Sequence, residues 1–206
     1  VAISLVAVGA KITAAITNSI IGVVNAQGLT SVIPTSVAGS GVSVGAAGKV
    51  TFTAATSVSV NGCFTSTYDN YRIMLEVPTV SATVTLTANL RSAGADTTAA
   101  NYDLEVLQGT SSTAAAAQAA AGASWSVNGG VTGTVHDITF ELKRPALALP
   151  TYGTLFSMVT QNPQTAPGVA VRGLSHRLST AYDGFTITPT GGTITGTIRI
   201  YGYNNN

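Results

Sequence analysis

From Gly48 almost to the end of the chain, apolar side chains recur at every second position, and this alternation limits the fold more than any other feature. Val50 and Phe52 alternate with threonines. Tyr71, Ile73, Leu75 and Val77 alternate with Arg72, Met74 and Glu76, and Val84, Leu86, Ala88 and Leu90 with threonines, Asn89 and Arg91. Tyr102, Leu104 and Val106 continue the series, followed by Ile138, Phe140 and Leu142, by Val169 and Val171, by Phe185 and Ile187, and by Ile194, Ile198 and Ile200. Successive residues of a strand point to opposite faces, so each run predicts a strand with one buried face. About eight such runs, separated by Gly, Pro, Asn and Asp turns, predict an all-β domain: an antiparallel β-sandwich of jelly-roll-like form.

The N-terminal part follows a different period. Over Lys11 to Gln27, Ile12, Ile16, Ile20, Val23 and Val24 recur at spacings of three and four, which predicts one short helix that Gly28 terminates. Its other face holds Thr13, Thr17, Asn18, Gly22 and Asn25, polar but uncharged. A lone helix of this kind is marginal in water. It therefore packs on its own sandwich or against the same helix of neighbouring subunits, and the second is the working expectation. Residues 31–48, rich in Gly, Ser and Pro around Pro34, read as a linker arm. The predicted organisation is thus a docking segment at 1–30, the arm at 31–48 and the sandwich at 49–206.

Charge then narrows the function. Charged residues make up 8% of the 206, nine basic and eight acidic for a net +1, where an ordinary soluble domain carries ~25%. Charge keeps free monomers apart, so a chain with threonine, serine and alanine in its place reads as one to be covered by copies of itself or by neighbours. The densest basic site is the pair Lys143-Arg144. That is too little to neutralise a run of phosphates, and nucleic-acid binding is not expected. Val1 to Val8 is apolar but only about one-third of a membrane span. It lacks the basic start of a signal peptide, so it reads as a docked extended segment and not as a membrane insertion. Cys63 has no cysteine to pair with and reads as a small half-buried hydrophobe.

The inventory for catalysis is thin. His136 falls in phase with Ile138, Phe140 and Leu142, which places it in the core or at its rim. His176 lies between Ser175 and Arg177 near a strand end, with a structural hydrogen bond as its expected role. Forty positions separate the two histidines, outside usual zinc spacing. The carboxylates Asp69, Glu76, Asp96, Asp103, Glu105, Asp137, Glu141 and Asp183 are scattered, without the local signature of an acid pair. Gly39-Ser40-Gly41 and Gly48-Lys49 lack the remaining positions of nucleotide loops, and no Gly-x-Ser-x-Gly elbow occurs. The expectation is no enzyme, no catalytic residue, no metal and no cofactor.

Two local features remain. Gln108 to Gly133 carries no charge and is rich in alanine, which suits a short helix or a long loop at one end of the sandwich. Trp125 within it reads as an anchor to the core or as a ligand-facing aromatic. Tyr68-Asp69-Asn70-Tyr71-Arg72-Ile73 and Tyr182-Asp183-Gly184-Phe185-Thr186-Ile187 share one form, which predicts two similar turn-to-strand junctions, side by side.

Ile33-Pro34-Thr35-Ser36-Val37 and Ser59-Val60-Asn61-Gly62-Cys63-Phe64-Thr65-Ser66, leading into Tyr68-Asp69-Asn70-Tyr71, resemble virion proteins of tailed bacteriophages. So do Thr180-Ala181-Tyr182-Asp183-Gly184-Phe185 and the closing Gly196-Thr197-Ile198-Arg199-Ile200-Tyr201-Gly202-Tyr203. Minor tail, tail fibre and receptor-binding proteins are the nearest in kind. The resemblance covers about residues 30 to 206 and is weak from 108 to 170. It implies a trimeric β-domain, assembled in the host cytoplasm and mounted on a virion through its N-terminal segment and other virion proteins. On that reading it attaches to host-surface polysaccharide, for which Trp125, Tyr102, Tyr152, Tyr201 and Tyr203 are the candidate contacts, while Ile12, Ile16, Ile20, Val23 and Val24 form the docking seam. A long fibre shaft is lacking, which leaves open a short tail appendage or, as the alternative, a capsid decoration or head-fibre protein without a ligand. A cell-wall hydrolase with a close carboxylate pair is the third reading.

Overall fold

The computed structural model describes residues 28–82, 84–110, 113–128, 135–160 and 167–204. The expected helix, with Ile12, Ile16, Ile20, Val23 and Val24, lies outside the described residues.

Sixteen strands follow in chain order among the described residues: β1 Leu29–Ser31, β2 Ser36–Ala38, β3 Val42–Val44, β4 Val50–Ala55, β5 Val58–Asn61, β6 Asn70–Val80, β7 Leu86–Ser92, β8 Ala95–Asp96, β9 Tyr102–Thr110, β10 Thr113–Gly122, β11 Trp125–Ser126, β12 Val135–Lys143, β13 Thr151–Thr160, β14 Pro167–His176, β15 Gly184–Pro189 and β16 Ile194–Tyr203. They form two antiparallel sheets. The large one has ten strands in the order β10-β9-β14-β13-β12-β6-β16-β4-β3, with β1 also on β16. The small one has six, β11-β7-β15-β5-β2, with β8 on β7. The architecture is all-β and sandwich-like, as the alternation predicted.

The core lies between the sheets. Ile73, Leu75, Ile138, Phe140, Ile198 and Ile200 of the large sheet meet Val58, Val60, Leu86, Leu90, Phe185 and Ile187 of the small one. Burying side chains of this size stabilises by roughly 1.5–3 kcal/mol each before chain entropy is subtracted. The central strand β16 bonds to both β4 and β6 and carries a register shift at Ile194/Gly196 on the β4 side. Gly196 is required there, because a Cβ would collide with the Glu76 carbonyl oxygen.

Four expectations change. Residues 31–48 are part of the sandwich: β2 pairs with β5 of the small sheet and β3 with β4 of the large one. The chain crosses between them through Gly39 (φ 131°) and Gly41 (φ 71°), closing that side of the sandwich. The run of alanines in the uncharged stretch, Ala114 to Ala121, is neither helix nor loop. It forms β10, paired with β9 from Thr113↔Thr110 to Ala119↔Leu104; a helix this short is marginal alone, whereas a strand beside β9 gains a ladder partner for each residue.

Third, Val169 and Val171 face outward, 42% and 53% exposed, and β14 buries Ala170, Arg172, Leu174 and His176 instead. A one-residue phase difference moves a whole strand face, and here both faces are apolar enough to mislead. Fourth, the two Tyr-Asp junctions feed β6 and β15, which belong to opposite sheets. Phe64 joins them across the core, its ring 4.9 Å from Tyr71 and 5.8 Å from Phe185.

Candidate functional site

Opposite the core, the large sheet presents an outer face in two zones, each a set of residues in register. One zone is apolar. Ala116, Leu107, Val171, Phe156, Thr139, Met74 and Arg199 stand side by side across β10, β9, β14, β13, β12, β6 and β16. Within that row Leu107 is 63%, Val171 53% and Phe156 50% exposed. The next row adds exposed Val169 and Met158 as direct partners. Single exposed apolar residues are ordinary; a contiguous set on neighbouring strands marks a contact surface. The sequence reading missed it. Its signal lies in β13, where Tyr152, Phe156 and Met158 alternate with Leu155 and Val159, so neither face is polar.

The other zone carries the charged, amide and tyrosine side chains and holds two shallow hollows. The first, of about 290 Å³, is lined by Asp103, Glu105, Gln118, Tyr152, Gly173 and Ser175 among others. Gly173 forms its floor, and a Cβ there would meet nothing within 4 Å. The second, of about 320 Å³, is lined by Asn70, Glu141, Leu142, Lys143, Thr154 and Tyr203. Tyr152 pairs with Lys143, and Lys143 with Asn70, so the hollows are neighbours along one face.

Two carboxylates of this zone, Asp103 and Glu141, are held by pairing. Asp103 accepts from the Ala121 amide at 2.9 Å and the Ser175 hydroxyl at 3.0 Å, and pairs with Arg177 at 3.1 Å. The Ala121 amide, helped by Ser175 and Arg177, holds its carboxyl below the usual range despite some burial. Glu141 takes Arg72 at 2.5 Å on one oxygen and the Tyr203 hydroxyl at 2.6 Å on the other. The Glu141 partner raises the Arg72 guanidinium, while burial and then Glu141 raise the Tyr203 phenol. Arg72 lies 5.9 Å from the Tyr203 ring centre, and Arg144 lies 5.4 Å from that of Tyr152.

The candidate ligand residues therefore divide. Tyr152, 46% exposed, and the half-buried Tyr201 and Tyr203 stand on the outer face, with Tyr152 and Tyr203 in the hollows. Trp125 and Tyr102 do not: they are 2% and 1% exposed and belong to the core. Trp125 donates from Nε1 to the Ser175 carbonyl at 3.0 Å. The Tyr102 hydroxyl accepts from the Leu90 amide at 2.9 Å and donates to the Thr97 carbonyl at 2.8 Å, tying β9 of one sheet to β7 of the other. The two rings meet edge to face at 5.0 Å, and Tyr102 meets His176 at 4.3 Å. The phase of Tyr102 with Leu104 and Val106 already pointed it inward, whereas nothing local to Trp125 chose between core and surface.

The histidines and Cys63 are interior residues. His136 is 1% exposed and His176 fully buried, with Nδ1 3.0 Å from the Tyr182 hydroxyl; burial lowers its pKa. Burial pushes the Cys63 thiol far up, away from any thiolate chemistry. Arg172 was not anticipated. It is 1% exposed, donates from Nη1 to the Val127 carbonyl at 2.9 Å and Ser157 Oγ at 2.8 Å, and burial lowers it to about 10. Among the described residues no group of three or more metal-ligating side chains occurs, and no helix is long and apolar enough to cross a membrane. No protein-family model, no curated protein and no solved structure matches this chain.

Proposed function

We propose that this chain is a non-catalytic structural subunit of a tailed-bacteriophage virion, with the two sheets arranged as a jelly roll. In this reading it is a trimeric tail appendage that docks through residues 1–30 and attaches to host-surface polysaccharide. The observation that carries the proposal is the apolar cluster Leu107, Val171 and Phe156 on the outer face of the large sheet, in a chain with few charges. Such a surface loses free energy in water and is stable when other subunits cover it. Threonine and serine beside it meet a neighbour without the desolvation penalty that charges carry. The non-catalytic reading is supported by the engagement of Asp103, Glu141 and Asp96 with arginines.

The zone of the two hollows is the attachment site in this reading. Tyr152 and Tyr203 supply aromatic faces, Gln118 and Asn70 amides, and Gly173 leaves the floor low enough for a sugar ring. The alternative, a capsid decoration protein without ligand, draws on the breadth of the apolar cluster, which runs across β10, β9, β14 and β13 of one face.

Antibody raised against the folded chain tests the proposal on purified phage particles by electron microscopy. Labelling at the tail in few copies supports the appendage, and labelling over the head in many copies supports the decoration protein. Particles that carry no label overturn both. Light scattering before and after removal of residues 1–30 reads the trimer: loss of the three-fold mass on deletion, or in Ile16→Asp/Ile20→Asp, places the seam in that segment.

A further inference from the structure

Among the described residues the sandwich has several strand edges, and all but one are short. β3 and β2, which end their sheets on one side, have three residues each, and β11 and β8 have two. β10 ends the large sheet on the other side with ten residues. Its sequence, Thr113-Ala-Ala-Ala-Ala-Gln-Ala-Ala-Ala-Gly122, has no charge and no proline. Ala114 to Ala121 are exposed on both faces, so the strand overhangs the small sheet. Among the described residues only β9 pairs with it. Proteins blunt long edges with lysine, proline, inward charge or a covering segment, and among the described residues β10 has none of these over Ala114 to Ala120. The pairable stretch ends at the register shift between Ala119 and Gly122, where Ala121 has φ 55°.

We infer that the outer edge of β10 pairs antiparallel with β10 of a second copy of this chain, joining two large sheets edge to edge across a two-fold axis. The inference rests on the backbone of β10 and stands apart from the virion reading. A foreign peptide added to a sheet edge is selected by pockets for its alternate side chains. β10 offers only alanines and one glutamine, so it reads backbone and not sequence, and it suits a partner whose register its own fold holds rigid. A two-fold axis normal to the sheet keeps both outer faces on one side and pairs residues whose numbers sum to an even value. Through Ala116 or Ala117, such an axis sets Gln118 opposite an alanine and brings no charges together. Seven paired residues supply roughly six to eight backbone hydrogen bonds. With the axis through Ala116, the row Ala116, Leu107, Val171 and Phe156 continues into the same row of the second copy and merges two apolar zones into one band; with the axis through Ala117 it meets the Gln118 row instead.

The test uses the full chain and reads mass against concentration by sedimentation. The wild type is expected to self-associate through a two-fold step. Ala115→Lys/Ala117→Lys sets lysines opposite each other in each such register and is expected to halve the mass, with unchanged circular dichroism. Ala115→Thr/Ala117→Thr, neutral and strand-favouring, is expected to keep it. Position is read by oxidative cross-linking: Ala117→Cys is expected to give a covalent dimer, and Ser43→Cys on the opposite edge is not, while Cys63 is buried and silent. A wild type without concentration-dependent association, a lysine variant that associates as the wild type does, or equal cross-linking at positions 43 and 117 overturns the inference. Failure here leaves the antibody result on particles untouched.

Discussion

Removing one oxygen atom from Tyr102 tests whether this residue is a core tie or a ligand contact. In Tyr102→Phe the ring keeps its contacts with Trp125 and His176, while the Leu90 amide loses its acceptor and the Thr97 carbonyl its donor. An unsatisfied buried donor costs about 1–3 kcal/mol and a lost neutral hydrogen bond about 1 kcal/mol, so a loss of about 2–3 kcal/mol is expected at neutral pH. For a chain of this size that lowers Tm by about 5–10 °C.

Alkaline pH supplies the sign. Burial raises the Tyr102 phenol to about 12, while in the unfolded chain it ionises near 10. Above pH ~10 the unfolded state has lost the proton and the folded state has kept it, so the contribution of Tyr102 is full below pH ~10 and is lost as the pH rises towards 12. Two pKa steps correspond to about 2.7 kcal/mol. Urea unfolding of both proteins at pH 7 and at steps above 10 is therefore expected to show a gap of about 2–3 kcal/mol that narrows by about 1.4 kcal/mol per pH unit. A gap below about 0.5 kcal/mol, the scale of surface substitutions, or a gap unchanged on entering the alkaline range, refutes the reasoning.

Three further outcomes are expected. Arg172→Met removes a buried guanidinium whose pKa burial has lowered to about 10 and should unfold at no lower urea concentration than wild type. Arg172→Ala leaves a cavity and should lose about 2–4 kcal/mol; a Met variant losing as much would show that the charge has a stabilising partner. His176 has a lowered pKa, so below pH ~6.5 the unfolded state binds the proton first and stability falls; His176→Gln should flatten that slope in thermal melts. Asp103 has a lowered pKa, so its stabilisation is full above its unfolded pKa and fades as the pH falls through the folded one; Asp103→Asn should be less stable at neutral pH and converge with wild type in acid.

Much of the fold was legible because alternation is a local property. Ile73, Leu75 and Val77, or Ile138, Phe140 and Leu142, declare a strand and its buried face whatever lies beside them. His136 declared its burial in the same way, by phase. Charge poverty declared a surface to be covered, since it concerns side chains and not their arrangement. Partners are non-local, and there the reading stopped. Nothing within Ala114 to Ala121 specifies a strand; pairing with β9 decided it and left the other edge bare. Val169 and Val171 looked inward until the register of β14 turned them out beside Leu107 and Phe156. Tyr102 fell in the inward phase with Leu104 and Val106, and Trp125 read as a core anchor or a ligand-facing aromatic; the contacts of their polar atoms with Leu90, Thr97 and Ser175 put both in the core. The sequence by itself determined the strands that alternate, such as β6, β7, β12 and β16, and that the chain carries few charges, because both follow from local composition. The tertiary structure alone decided which faces are outside and which edge is open, because strand order and register arise from contacts between residues far apart in the chain.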